Sequence, residues 1–197
     1  MDKRRSAAII AAIALFSLIA GYGAVADDRG DGTPSLEAQL VSFATELRLC
    51  LSLAAFAAYS PTILDIRLHA QQLVNLIEGA SGEDYSRPGG SSDEPVGLLV
   101  EATGWIRQIP DRPLPLDKKE RILAATKNVA TFLELARDEA LSLRDERRIE
   151  RAKEGMLMVY AYLAAAYESP CGTAYLPGLW TILQAFGLAD RGEEPHS

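Results

Sequence analysis

The chain has 197 residues, with 27 Asp and Glu against 20 Lys and Arg and a formal net charge of −7. Such an acidic protein repels phosphate backbones and no local stripe of Lys and Arg reverses the sign, so nucleic acid is not an expected partner. With 48% hydrophobic residues, one domain of this length buries a core large enough that neither metal nor disulfide is required for folding.

Residues 1–26 begin with Lys3, Arg4 and Arg5, continue in an apolar run from Ala7 to Ala20, and end in the small residues Ala24-Val25-Ala26. That order is the layout of a secretory signal peptide with cleavage expected before Asp27. The rival reading is an uncleaved anchor, since Ala7 to Ala26 is about the length of a spanning helix. Cleavage would leave 17 Lys and Arg against 26 Asp and Glu, a net of −9. Export places the protein in the periplasm or outside the cell, with the membrane touched only through the leader if that leader is retained. Residues 27–34 are polar and turn-rich and read as a flexible leader to the folded body, as the polar residues 191–197 read as a tail.

Residues 35–190 are expected to form one all-α domain, an up-and-down bundle of five to six helices. From Leu36 the residues Leu36, Leu40, Phe43, Leu47, Cys50, Ala54 and Ala57 recur at steps of four and three, the spacing of one helix face. Beyond Leu47 the segment LRLCLSLAAFAAY is apolar nearly all round, which predicts a position central in the core. Ser60-Pro61 ends this helix and is expected to cap the next, which runs from about Pro61 to Glu78 and stops at Gly79. Residues 80–95 are rich in Gly, Ser, Pro and acid and read as a long loop. A shorter helix over about Val96–Ile109 carries Trp105, and Pro110, Pro113 and Pro115 form a stiff connector.

Asp117 with Glu120 has the spacing of a capping box for a fourth helix whose stripe is Ile122, Ala125, Val129, Phe132, Ala136, Ala140 and Leu143. A break is expected near 143–147, because one helix from 117 to 168 would be about 78 Å long, too long for a compact domain of this size. The fifth helix carries Ile149, Ala152, Met156, Val159, Leu163 and Tyr167, and a last short one over about Leu176–Leu188 holds Trp180. The order long helix, helix, loop, short helix occurs twice, which suggests two pseudo-repeated three-helix halves. No segment alternates with period two.

The candidate chemistry is sparse. His69 lies in the stretch LHAQQLVNLIEG, beside the apolar face formed by Ile63, Ile66, Ala70, Leu73, Val74 and Ile77, with Asp65 and Gln72 one turn away on either side. One reading makes it a metal or polar-ligand site, with His69 supplying nitrogen and Asp65 an oxygen or the orienting hydrogen bond. The other makes it a boundary histidine whose ring covers the core edge and bonds Asp65. A first-row metal needs three or four protein ligands, and the other histidine, His196, lies in the polar tail.

Di-iron bundles need paired Glu-x-x-His units on their helices, and His69 has no glutamate three residues before it. There is no Gly-x-Ser-x-Gly elbow, phosphate-cradling glycine loop, His-Glu-x-x-His or Cys-x-x-Cys-His. Paired carboxylates stay open as an alternative, since Glu46, Glu101, Glu134 and Glu150 all sit on helices, where acids are usually solvated faces.

Trp105, Tyr175 and Trp180 could line an apolar pocket, although core packing accounts for the same residues. Cys50 and Cys171 either form a disulfide, worth on the order of 4–5 kcal/mol for a loop of about 120 residues, or pack as separate thiols. The expectation is an exported binding or interaction module without catalytic activity or cofactor. Any site would fall at the ends of the second and fifth helices. The alternative is a metal- or small-ligand-binding protein that uses His69 and neighbouring acids.

Overall fold

The structure, a computed structural model, describes residues 34–86, 95–167 and 177–189. Among them are six α-helices and no strand: α1 Leu36–Ala58, α2 Ile63–Glu78, α3 Leu98–Gln108, α4 Leu116–Ser142, α5 Ile149–Tyr167 and α6 Leu179–Ala185, with a 3-10 turn over Ile109–Asp111. The fold is an all-α helical bundle, as the three-and-four spacing predicts. Residues 1–33, 87–94, 168–176 and 190–197 lie outside the described residues, and with them the segment read as a signal peptide, Cys171, Tyr175 and His196.

The chain divides into two compact units, residues 1–39 and 40–197. In the first, Ser35 caps the start of α1: its Oγ accepts a hydrogen bond from the Ala38 amide at 3.2 Å, and the Gln39 side-chain amide donates to the Pro34 carbonyl at 3.0 Å.

In the second unit α4 is the central element, packing on α5 along much of its length and also on α2, α3 and α6. The side chains of α1 that meet this core are Leu40, Phe43, Leu47, Cys50, Ala54 and Ala57, all essentially inaccessible. Those six belong to the face predicted by the spacing. In α4 the core uses Leu133 where the spacing suggests Phe132, along with Thr126 and Ala130. The Thr126 hydroxyl is accommodated in the core because it donates to the Ile122 carbonyl of its own helix at 2.9 Å.

Helix ends follow local chemistry more closely than residue type alone suggests. The cap of α2 is Thr62 instead of Ser60: its backbone is extended, and its hydroxyl oxygen accepts from the Asp65 amide at 3.1 Å while donating to the Asp65 carboxylate at 2.7 Å. For α4 the Asp117–Glu120 box does not form. Pro115, at φ −54° and ψ 146°, already turns the chain into the helix, so Asp117 falls inside the first turn. The break in the charged segment does occur, with α4 ending at Ser142 and α5 starting at Ile149. There the Glu146 carboxylate accepts from the Arg147 and Arg148 amides, both at 2.8 Å, and sits 3.3 Å from Arg151. Hydrogen bonds from those amides and the nearby guanidinium groups hold its carboxyl below the usual carboxylate range.

Gly79 and Gly97 bracket the long loop. Both are left-handed, at φ 74° and 91°, and their backbones cross so closely that a Cβ on Gly79 would strike the Val96 carbonyl and one on Gly97 the Glu78 carbonyl. The Ala80 amide donates to the Pro95 carbonyl at 2.9 Å just beyond the crossing, tying the two ends of the loop together.

Candidate functional site

The stretch LHAQQLVNLIEG lies on α2 and its polar side chains divide into two groups. Gln71, Asn75 and Glu78 form a ladder facing residues 84–86. The Asn75 amide nitrogen donates to the Ser86 carbonyl at 2.7 Å, and its oxygen accepts from the Ser86 amide at 2.9 Å and from Gln71 at 3.0 Å. Gln71 also donates to the Asp84 carbonyl at 2.9 Å, and the Glu78 carboxylate accepts from the Asp84 amide at 3.1 Å. Asn75 and Glu78 are buried, and Arg137 of α4 stands 3.7 Å from the Glu78 carboxylate while Arg144 pairs with Asp84 at 3.0 Å. These groups replace the water that the loop backbone would otherwise need.

Asn75→Ala removes a donor and an acceptor together and strands both backbone groups of Ser86. It is expected to cost about 2–3 kcal/mol in urea unfolding and to raise the rate of proteolysis within residues 80–86. An unchanged cleavage rate would show that the ladder does not hold the loop.

His69 belongs to the second group. Its Nδ1 lies 2.9 Å from the Gln72 side-chain oxygen, and its ring meets Phe56 of α1 edge-on, with centroids 6.0 Å apart. Asp65, expected to orient the imidazole, is engaged with Thr62 at the helix cap instead. His69 and Gln72 are thus brought together and Asp65 is drawn away, because its carboxylate accepts from the Thr62 hydroxyl one turn earlier. Among the described residues no three His, Cys, Asp or Glu side chains gather in a metal-ligating arrangement.

Around His69 the surface is apolar. Phe56 is 68% exposed and Tyr59 83%, one turn apart at the end of α1; Leu64 is 72% and Leu68 56% exposed, one turn apart at the start of α2. The contact between Phe56 and His69 places the two pairs at the same corner. The sequence reading missed this patch, putting the second half of α1 wholly inside. A helix that is apolar on every side but meets the core along one face must show the other face to solvent. Residues 40–58 of α1 do so, although α1 is also long and apolar enough to cross a membrane, with an 18-residue stretch of mean hydropathy 1.6.

A third cluster brings together two of the four acids named from sequence. Phe43 of α1 and Trp105 of α3 stack with centroids 4.5 Å apart and planes inclined at 57°. Glu46 lies one turn along α1 from Phe43 and Glu101 one turn along α3 from Trp105, and both are half-buried. Burial, then the neighbouring Glu46 charge, pushes the Glu101 carboxyl up to about 7. Glu46 is itself raised by burial despite a 3.3 Å hydrogen bond from Ser42. Beneath them the Cys50 thiol is fully buried and raised far above its ordinary range, first by burial and then by Glu46. Its proposed bridge partner, Cys171, lies outside the described residues, and Glu134 and Glu150 are separately exposed on α4 and α5.

Of the aromatic residues suggested as a pocket, Trp105 packs on Phe43 with 1% of its surface exposed, Trp180 is half-buried on α6, and Tyr175 lies outside the described residues. One cavity among the described residues is an open depression of about 380 Å³ at the start of α5, lined by Arg148, Glu150, Arg151 and Glu154. At the ends of α2 and α5, where any site was expected, residues 87–94 and 168–176 lie outside the described residues.

No known protein family, curated protein or solved structure matches the chain.

Proposed function

We propose that this protein is an exported interaction module without catalytic activity, which docks a basic amphipathic segment of a partner protein at the corner where α1 meets α2. Export is inferred from the basic start, apolar run and small-residue ending of residues 1–26. The docking reading is carried by one observation: Phe56, Tyr59, Leu64 and Leu68 stand exposed together around His69.

By the usual areas of such side chains the patch is roughly 500 Å², as large as the largest patch on an ordinary monomer. A stable dimer buries about 800 Å² on each side, so a second copy would be held weakly. A single helix presenting apolar anchors at spacings of three and four fits the area better. The chain's net charge of −7 draws a basic segment towards it and repels an acidic one. Meanwhile Gln71 and the buried Asn75 and Glu78 of the same stretch are occupied in holding the loop.

The test is titration with a synthetic amphipathic peptide of leucine and lysine at helical spacing, beside a leucine–glutamate peptide of the same pattern. Saturable binding of the basic peptide is expected, at least tenfold weaker with Leu64→Ser/Leu68→Ser protein and absent for the acidic peptide. Equal binding by parent and variant would overturn the proposal, as would concentration-dependent dimerisation abolished by the same variant. Elemental analysis of untagged protein beside His69→Ala separates the metal-binding alternative: stoichiometric metal lost in the variant would replace docking as the reading.

A further inference from the structure

His69 stands amid the apolar corner, and its part in docking there, which rests on the proposed function, follows from its hydrogen bond. On the surface of α2, residues three and four apart are neighbours, so Asp65, His69 and Gln72 form a polar line beside the exposed Leu64 and Leu68. Phe56 of α1 meets the same ring edge-on. A side-chain amide oxygen only accepts hydrogen bonds, so the 2.9 Å contact between His69 Nδ1 and Gln72 Oε1 puts a proton on Nδ1. In the neutral ring Nε2 is then the acceptor, and it has no partner among the described residues. Covering it with an apolar side chain would bury an acceptor without a donor, whereas a lysine or arginine supplies the donor in a charge-assisted bond.

The charges around the ring favour the same choice. On α2, Asp65 lies one turn before it, while Arg67 is turned away to donate to the Glu146 carbonyl at 3.1 Å. From α1, residues 49–60 bring no charged side chain, and their titratable groups are Cys50 and Tyr59. α3, α4 and α5 also pack on α2. The charged groups that α4, α5 and their connector bring forward pair elsewhere: Arg137 with Glu78 and Asp138, Arg144 with Asp84, Arg148 and Arg151 with Glu146. None of these, nor Glu101 or Arg107 of α3, is bonded to the imidazole among the described residues.

We propose that His69 is the specificity-determining contact of the corner, its Nε2 accepting one N–H from a lysine or arginine of the docked segment, and that protonation of the ring expels that segment. Histidine is the side chain whose charge ordinarily changes between about pH 5 and 8. The second proton goes to Nε2, which turns the acceptor into a donor and sets a positive charge against the partner's own. Docking is thus tighter at neutral pH and weaker in mildly acidic surroundings.

The test titrates the full chain with the leucine–lysine peptide at pH 7.5 and pH 5.5, an interval in which lysine keeps its charge. The parent is expected to bind about tenfold more weakly at the lower pH. His69→Phe, which removes the acceptor, should bind about tenfold more weakly than the parent at pH 7.5 and show no pH dependence. His69→Gln keeps an amide-oxygen acceptor but takes up no proton, so it should bind equally at the two values and more tightly than His69→Phe. Equal affinity of the parent at both values would overturn the inference. So would a drop that persists in His69→Gln, since other groups, such as Glu101 with its carboxyl pushed up to about 7, would then be its source. Binding indifferent to Leu64→Ser/Leu68→Ser would remove the docking role and this inference with it. On the protein alone, the imidazole nitrogen shifts at pH 8, assigned by their loss in His69→Gln, should report the Nδ1–H form; the Nε2–H form would refute the acceptor whatever the peptide does.

Discussion

Gly97→Ala is expected to destabilise the fold by about 3–5 kcal/mol, seen as a lower urea midpoint with little change in slope. Two penalties combine. At φ 91° an L side chain is strained, and its Cβ would enter the Glu78 carbonyl, a backbone group that cannot rotate away. Relief requires separating the end of α2 from the start of α3, which also stretches the Ala80–Pro95 hydrogen bond. Gly79→Ala, at φ 74° against the Val96 carbonyl, should behave alike. The double variant should cost less than the sum of the two, because opening one crossing relieves both collisions. A loss below 1 kcal/mol for either variant would mean that the crossing opens freely in solution.

The second large effect concerns Trp105. Truncation to alanine removes the largest fully buried side chain and leaves Phe43 facing a void, at an expected cost of about 3–5 kcal/mol. Trp105→Phe should cost much less than a volume argument alone suggests. The indole Nε1–H is buried and finds no acceptor among the described residues, so phenylalanine removes an unsatisfied donor along with the extra ring. Chemical denaturation of both variants decides the matter. Equal losses for phenylalanine and alanine would show that the N–H is satisfied in solution and that the indole itself is needed.

The two arguments differ in how far sequence could anticipate them. Gly79 was readable as a helix stop because glycine after a periodic run is the usual end of a helix. Nothing in the spacing announced that Gly97, eighteen positions later, would press against it, since that contact depends on how residues 80–96 return. Trp105 was identified as notable, but a partner was expected among Tyr175 and Trp180, whereas the ring contact described is with Phe43 of α1. The acids are similar: Glu46 and Glu101 were named with Glu134 and Glu150 as undifferentiated acids, and only packing separated the two that are half-buried from the two that are exposed. His69 was found from its type and its place on the helix edge. Its neighbour was misjudged because the Asp65 carboxylate had a nearer donor in the Thr62 hydroxyl.

What the sequence determined by itself is the set of rods and their inward faces. The apolar rhythm at three and four residues, together with glycine, proline and capping side chains at the ends, acts within a few residues of itself and needs no knowledge of neighbours. What only the tertiary structure decided is the company each polar or aromatic side chain keeps: Asn75 with Ser86, Phe43 with Trp105, Phe56 with His69 and open solvent. Those meetings depend on which face of one helix lies against another and at what height, a relation between distant segments that helix periodicity does not encode.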